Sequence, residues 1–402
     1  MKFYPLCIFA AASLLFSCKN GADTGVIRLD GTFNDNFLES WEYIILEDDN
    51  LEAELGEITQ PIQYDDGLFF IHSAVEEDNN HATIKVFDRS GRYLNNIGRI
   101  GRAANECLSL DYWTLDRVNN ELIVAQGNGY GASVTIKRYD YKGNFIGKTE
   151  TDTLGYNCIL MGIAKIESDG TLLIQDGRVH SSPTHEFFHI HPDGSISTPL
   201  ELSEYHLNHT FADMSTFFIN GVIGTDMEAG NIHTEGSCNR CSDTTYVLRK
   251  MDNNIYRLYG DKAESVAKIP FLADAPDRLK KGIDYKDEEQ SRDYSACSFI
   301  DMNDFVYFGL YSPSDADYLF DKSTKRFYEM EIDTINASLP MHGYFSIYDN
   351  ELISYEDMYF IDMALNIMDS KVYDHRYKPD VEAFYRKAKD CQNPPIIIAH
   401  YK

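Results

Sequence analysis

His185-Glu186-Phe187-Phe188-His189 spells the HExxH pattern of zinc proteases. The pattern works only on a helix, where residues four apart share a face. This segment runs into the turn Pro192-Asp193-Gly194 and falls where a repeated strand is required. On a strand the two histidines stand about 13 Å apart, at about 3.3 Å per residue, too far to share one zinc. His189 and His191 share a strand face and could bind a metal with a third ligand, although solvated strand histidines are far more common. Cys238-Asn239-Arg240-Cys241 is a CxxC with His233 shortly before it, but no second CxxC or HxxxH completes a zinc site. A local disulfide between Cys238 and Cys241 and a simple pair of loop thiols both stay open. Asp315, Asp317 and Asp321 lack the glycine and terminal glutamate of a calcium loop. Arg89, Arg92, Arg99 and Arg102 form a basic cluster that could seat a carboxylate or sulfate, or pair with neighbouring acids. The chain holds no GxSxG elbow, phosphate-cradling GxxxxGK or dinucleotide fingerprint, so no cofactor is expected.

The bulk properties narrow the partners. A formal charge of -28 argues against nucleic acid and against an anionic membrane surface, since both need displayed cations. Hydrophobic residues at 43% suffice for a core, and the aromatics are mostly Tyr (27) and Phe (23), which favour pleated sheet. Cys107, Cys158, Cys297 and Cys391 are scattered in or near expected strands and read as small buried hydrophobes.

The elements that must position these residues repeat along the chain. Ile84-Lys85-Val86-Phe87-Asp88-Arg89-Ser90-Gly91 returns as Ile136-Lys137-Arg138-Tyr139-Asp140-Tyr141-Lys142-Gly143, and again as Phe188-His189-Ile190-His191-Pro192-Asp193-Gly194. The turn glycines recur about every fifty residues, the length of a propeller blade. Asp accepts local backbone bonds and Gly supplies the positive φ of a tight hairpin. Upstream strand pairs such as Trp113 to Arg117 and Glu121 to Ala125 make four short antiparallel strands per unit. Later copies follow at Asn254 to Gly260, Tyr294 to Ser323 and Phe345 to Ile353. A helix is expected after Pro379-Asp380, then a last strand, Ile396 to Tyr401. The sixth unit is thus one strand short, while Trp41 to Leu46 is an unassigned strand at the other end. An open edge leaves backbone groups unpaired, so the N-terminal strand is expected to complete the last blade. The expected fold is all-β: a six-bladed β-propeller over residues 26–402, with a short C-terminal helix insertion in blade six.

The N-terminus reads as an address. An apolar stretch from Phe3 to Phe16 follows Lys2, and Leu15-Phe16-Ser17-Cys18 resembles the lipobox of bacterial lipoproteins. That resemblance implies a signal peptide at 1–17, lipid attachment at Cys18, a tether at 18–25 and a membrane partner reached through acyl chains. Trp41 to Leu46, Asn96-Ile97-Gly98-Arg99-Ile100-Gly101, Ile255 to Leu258, Phe320-Asp321-Lys322 and Asn393 to Ile398 together resemble the six-bladed β-propeller lipoproteins of Bacteroidetes, similar in shape to NHL and TolB propellers. After Gly98-Arg99 that family carries a Gly-x-Gly-Pro-Gly-Glu turn. Only Gly101 and Glu106 match it here, which speaks against a role tied to that turn; Arg99, Arg102 and Glu106 are the candidate ligand-binding residues of this loop. The resemblance implies a bacterial cell-envelope protein, expected at the outer membrane. Two functions are open: a binding or scaffold propeller for a protein or glycan, and an enzyme on glycans or peptides with its site at the channel mouth.

Overall fold

The computed structural model describes residues 26–75, 78–127, 133–151, 160–176, 185–197, 200–201, 217–219, 222–224, 244–249, 254–260, 262–269, 295–311, 316–332, 338–343, 346–373 and 375–402. They form a mostly-β structure of separate antiparallel sheets with few helices. First come β1 (Val26–Arg28), α1 (Phe33–Phe37) and β2 (Leu38–Ile44). A first sheet follows, of β3 (Glu57–Ile58), β4 (Gln63–Asp65), β5 (Leu68–Val75), β6 (Asp78–Asp88) and β7 (Tyr93–Ile97). The second holds β8 (Trp113–Asp116), β9 (Glu121–Gly127), β10 (Val134–Asp140) and β11 (Phe145–Glu150), and the third β12 (Leu160–Ile166), β13 (Leu172–Asp176), β14 (His185–Ile190) and β15 (Leu200–Glu201). Next are the pair β16 (Phe217–Ile219) and β17 (Val222–Gly224), and a sheet of β18 (Thr244–Arg249), β19 (Asn254–Tyr259) and β20 (Lys262–Lys268). β21 (Ser295–Asp301), β22 (Phe305–Tyr311), β23 (Ala316–Asp321) and β24 (Arg326–Glu331) then form a sheet to which β1 adds in parallel. The last has β25 (Ser346–Tyr348), β26 (Glu351–Tyr355) and β27 (Ile396–Tyr401). Between β26 and β27 stand two helices, α2 (Met358–Met368) and α3 (Pro379–Ala388).

The strand patterns explain their places. β8 is buried at every residue, whereas β11 alternates half-buried with exposed, as an edge strand does. The core lies between successive sheets rather than inside any one. Phe70, Ile84 and Val86 of the first meet Trp113, Leu122 and Val124 of the second. Ile123, Val134 and Ile136 meet Ile174, Phe188 and Ile190 of the third. Ile44, Ile353, Ile396 and Ile398 of the last sheet, which β2 joins, meet Phe69 and Ile71 of the first.

The repeated turns form as their residues dictate. Asp88 Oδ1 accepts the N–H groups of Ser90 and Arg92, and Asp140 Oδ1 those of Lys142 and Asn144. Gly91, Gly143 and Gly194 stand at φ of 85°, 85° and 86°. They also rest on a neighbour: a Cβ would lie 2.1 Å from Ile45 O at Gly91, 2.6 Å from Asn96 O at Gly143 and 2.8 Å from Glu150 O at Gly194. Asn96 lies on β7 and Glu150 ends β11, the outer strands of the preceding sheets, and Ile45 directly follows β2. The N-terminal strand therefore stands toward the first sheet as β7 stands toward the second. Lys85 and Lys137, equivalent residues of β6 and β10, are both buried, and each Nζ donates to a carbonyl of the preceding loop, Glu52 O or Glu106 O.

The second strand and the last share one sheet. β2 runs antiparallel to β27, with Trp41 opposite Ala399 and Tyr43 opposite Ile397. The strand expected at Trp41 to Leu46 starts earlier, at Leu38, and ends at Ile44, while Leu46 is buried beyond it. A single C-terminal helix was expected, and two are present. α2 escapes a periodicity reading because Met358-Tyr359-Phe360-Ile361 opens it with apolar residues on every side, yet Asp357 caps it by accepting the Tyr359 N–H at 2.8 Å. The expected helix is α3, which takes Pro379 and Asp380 into its first turn and so begins two residues earlier. No helix among the described residues is long and apolar enough to cross a membrane.

Candidate functional site

The histidines singled out by spacing lie on or beside a strand. His185–Ile190 is β14, so the HExxH residues do not share a helix face. His189 is buried, with Nε2 3.9 Å from Glu167 Oε1, and His191 Nδ1 lies 3.2 Å from Thr171 Oγ1. Among the described residues no three His, Cys, Asp or Glu side chains are grouped to hold a metal ion. Cys18, Cys238, Cys241 and Asp315 fall outside the described residues. Cys107 is buried, its Sγ 3.1 Å from the Tyr139 hydroxyl.

The four arginines are adjacent in sequence but divided in space. Arg89 and Arg92 belong to the β6–β7 hairpin, where Arg89 pairs with Glu42 and Glu351 and Arg92 with Asp88. Arg99 and Arg102 lie past the other end of β7, both exposed. Arg99 Nε is 3.9 Å from Glu106 Oε1, and the other Glu106 oxygen accepts the Ala103 N–H at 2.9 Å. That carboxylate fills the space where a Cβ on Gly101 would stand, 2.0 Å away, which explains the glycine. Glu106 therefore braces its own loop.

Two features carried no sequence motif, and both belong to the segment between β26 and β27. At its root, Glu356 is fully buried and both its oxygens lie 2.9 Å from His342 Nδ1, with the His342 N–H at 3.3 Å. The imidazole stacks on Phe360 of α2, centroids 4.0 Å apart at 15°. Tyr385 of α3 is buried, and burial followed by the Glu356 charge pushes its hydroxyl pKa up. One carboxylate thus joins the loop before β25 to both helices. The other root is Asn393, also fully buried, which donates to Glu47 O and Ala53 O and accepts the Leu55 N–H. The His342 side chain is 28% exposed, so a carboxylate-held imidazole reaches solvent.

Burial pushes the Glu356 carboxyl above its ordinary value of 4.5, and His342 only partly offsets this. A carboxyl raised on folding binds its proton more tightly in the native state. Its contribution is full below the unfolded value and is lost as pH rises through the folded one. The urea midpoint of the wild type is therefore expected to fall more between pH 4.5 and 7 than that of Glu356→Gln. Parallel profiles would refute this.

The second feature is the outer face of α2. Ile361, Ala364 and Met368 turn inward and are buried, leaving Tyr359, Asp362, Met363, Asn366 and Ser370 as an exposed stripe. With the half-buried Ile367 of α2, and Val372, Tyr373 and Arg376 of the α2–α3 connection, they line a concavity of about 700 Å3. Tyr373 is braced by donating its hydroxyl to Glu382 at 2.5 Å.

A family model described as Domain of unknown function (DUF4934) matches residues 31–400. The chain belongs to this family. The matched span runs from just before α1 into β27, so the family unit includes both paired end strands and the helical segment. Among solved structures the chain is similar to a protein of Bacteroides fragilis NCTC 9343 predicted to be exported, 17% identical, with 94% of this chain and 99% of that chain covered and a TM-score of 0.55. At that identity the likeness concerns the fold alone. Two others are too distant to bear on fold or function. One is a member of the DUF4221 family from Bacteroides vulgatus (10% identity, 91% and 97% covered, TM-score 0.41). The other is the β-propeller domain of the trilobed protease from Pyrococcus furiosus (12% identity, 72% and 71% covered, TM-score 0.33). No curated protein matches the chain.

Proposed function

We propose that this family member is a binding protein of the bacterial cell envelope, lipid-anchored through Cys18, with a six-bladed β-propeller body closed by its own two ends. The ligand face is the helical segment between β26 and β27. Support for the ring comes from the core layers between successive sheets, including last against first, and from the first strands β25, β4, β8 and β12 lying side by side. Support for the anchor comes from the apolar leader and Leu15-Phe16-Ser17-Cys18.

The observation that carries the binding reading is the concavity on α2. Tyr359 is 69% exposed and Val372 87%, and both line it, on an element capped at its start by Asp357 and rooted at Glu356 and Asn393. Purified protein should be retained on lipid-extracted envelopes of the producing bacterium. Met363→Glu should lose most of that retention, and Val118→Glu, in the β8–β9 turn, should keep it. Equal retention of Met363→Glu and wild type would overturn the assignment of this face. Cys18→Ser should move the protein from the membrane to the soluble fraction, and the anchor fails if it stays with membranes.

The carboxylate-held His342 favours a second reading, an enzyme on glycans or peptides with this imidazole as its general acid or base. Hydrolysis that disappears in His342→Ala would favour it over simple binding.

A further inference from the structure

We propose that the concavity on α2 binds a neutral oligosaccharide, an inference that rests on the binding face proposed above. Tyr359, Asp362, Met363, Asn366 and Ser370 lie on one side of the helical segment, and Tyr359 to Asn366 spans two turns, about 10 Å. Their chemistry alternates. Tyr359 offers an exposed ring, held edge-on to Phe360 with centroids 5.4 Å apart, and Met363 a soft apolar surface. Between and beyond them, Asp362 accepts hydrogen bonds, Asn366 both donates and accepts, and Ser370 does the same through one hydroxyl.

A sugar ring has the matching surface, with an apolar C–H face to lie on an aromatic ring and a rim of hydroxyls to meet planar polar groups. A partner helix would ask for something else, an uninterrupted apolar stripe at spacings of three and four. Here the apolar row Tyr359, Met363 and Ile367 is short, and Asp362, Asn366 and Ser370 run beside it on the same side. Charge argues for a neutral ligand. One carboxylate and one guanidinium, Asp362 and Arg376, balance within the concavity, while the chain at -28 repels polyanions. A polycation would find a single acid in the cavity.

Calorimetric titration of the full chain in its soluble Cys18→Ser form, with cellohexaose, xylohexaose, mannohexaose, maltohexaose and chitohexaose, tests this. At least one should bind, Tyr359→Ala should weaken it tenfold or more, Tyr359→Phe should keep most of the affinity, and Asn366→Ala should weaken it severalfold. An acidic oligogalacturonate should bind more weakly than the best neutral sugar. Tyr359 is mostly exposed, so Tyr359→Ala should melt as the wild type does. If none of the five neutral sugars binds, or if Tyr359→Ala binds as well as wild type, the inference is wrong. Envelope retention that is lost in Met363→Glu while all five sugars fail would sink the sugar and leave the binding face standing. No retention and no sugar binding would sink both.

Discussion

A chain that begins at Ile45 is expected to lose its cooperative unfolding transition, measured by circular dichroism and by urea melts. β2 supplies the edge partner of β27 from Leu38 opposite Tyr401 to Ile44 opposite Ile396. Without it, a strand whose residues Ile396 to Ala399 are fully buried would present a bare edge. The losses extend beyond the ladder. Trp41 and Tyr43 pack on Phe384 of α3, with centroids 5.9 and 5.0 Å apart, and Trp41 Nε1 donates to Asp380 at 2.7 Å. Phe33, also removed, is fully buried against Tyr307 and Tyr401. At about 1 kcal/mol per ladder bond, and several more for the buried aromatics, the loss rivals a total stability of about 5–15 kcal/mol. Deleting residues 19–25 should leave the melt unchanged. A truncated chain that still unfolds cooperatively would show that β2 is dispensable. A peptide of residues 33–46 added in trans should restore part of the transition.

Gly91→Ala should destabilise by about 3 kcal/mol or more, read as a lowered urea midpoint, because two costs coincide there. The residue sits at φ 85°, which an L side chain adopts only under strain, and its new Cβ would lie 2.1 Å from Ile45 O and 3.2 Å from Ile44 Cγ2. The Glu47 N–H donates to Gly91 O at 2.8 Å, so turn and strand end cannot separate without breaking that bond. Gly67 is the control. It has a similar φ of 80° but nothing within 4 Å, so Gly67→Ala should incur only the conformational cost. Equal effects at the two sites would mean that the contact with Ile45 does not matter.

The turns and strands were legible because their causes are local. Asp88, Asp140 and Asp193 are each followed closely by a glycine or by a residue whose N–H they accept, and that chemistry survives in any neighbourhood. Whether Arg89 to Arg102 gather at one place was not legible, for the opposite reason. Residues close in sequence sit at opposite ends of β7, because an extended strand separates what a loop would gather. His342 and Glu356 are fourteen residues apart with a hairpin between them, a spacing that matches no motif. The side of α2 that faces out depends on where Ile361, Ala364 and Met368 find a core to enter.

By itself, the sequence determined the strand and turn repeat, the strand nature of the HExxH segment, and the strands at both ends that need partners, since alternation, aspartate and glycine act over a few residues. Only the tertiary structure decided that a carboxylate before α2 clasps a histidine before β25, and that the glycines rest on the preceding sheet. It also decided that one helical face stays open. Each of these depends on groups brought together by packing, and packing is a property of surfaces that meet only after the strands have formed.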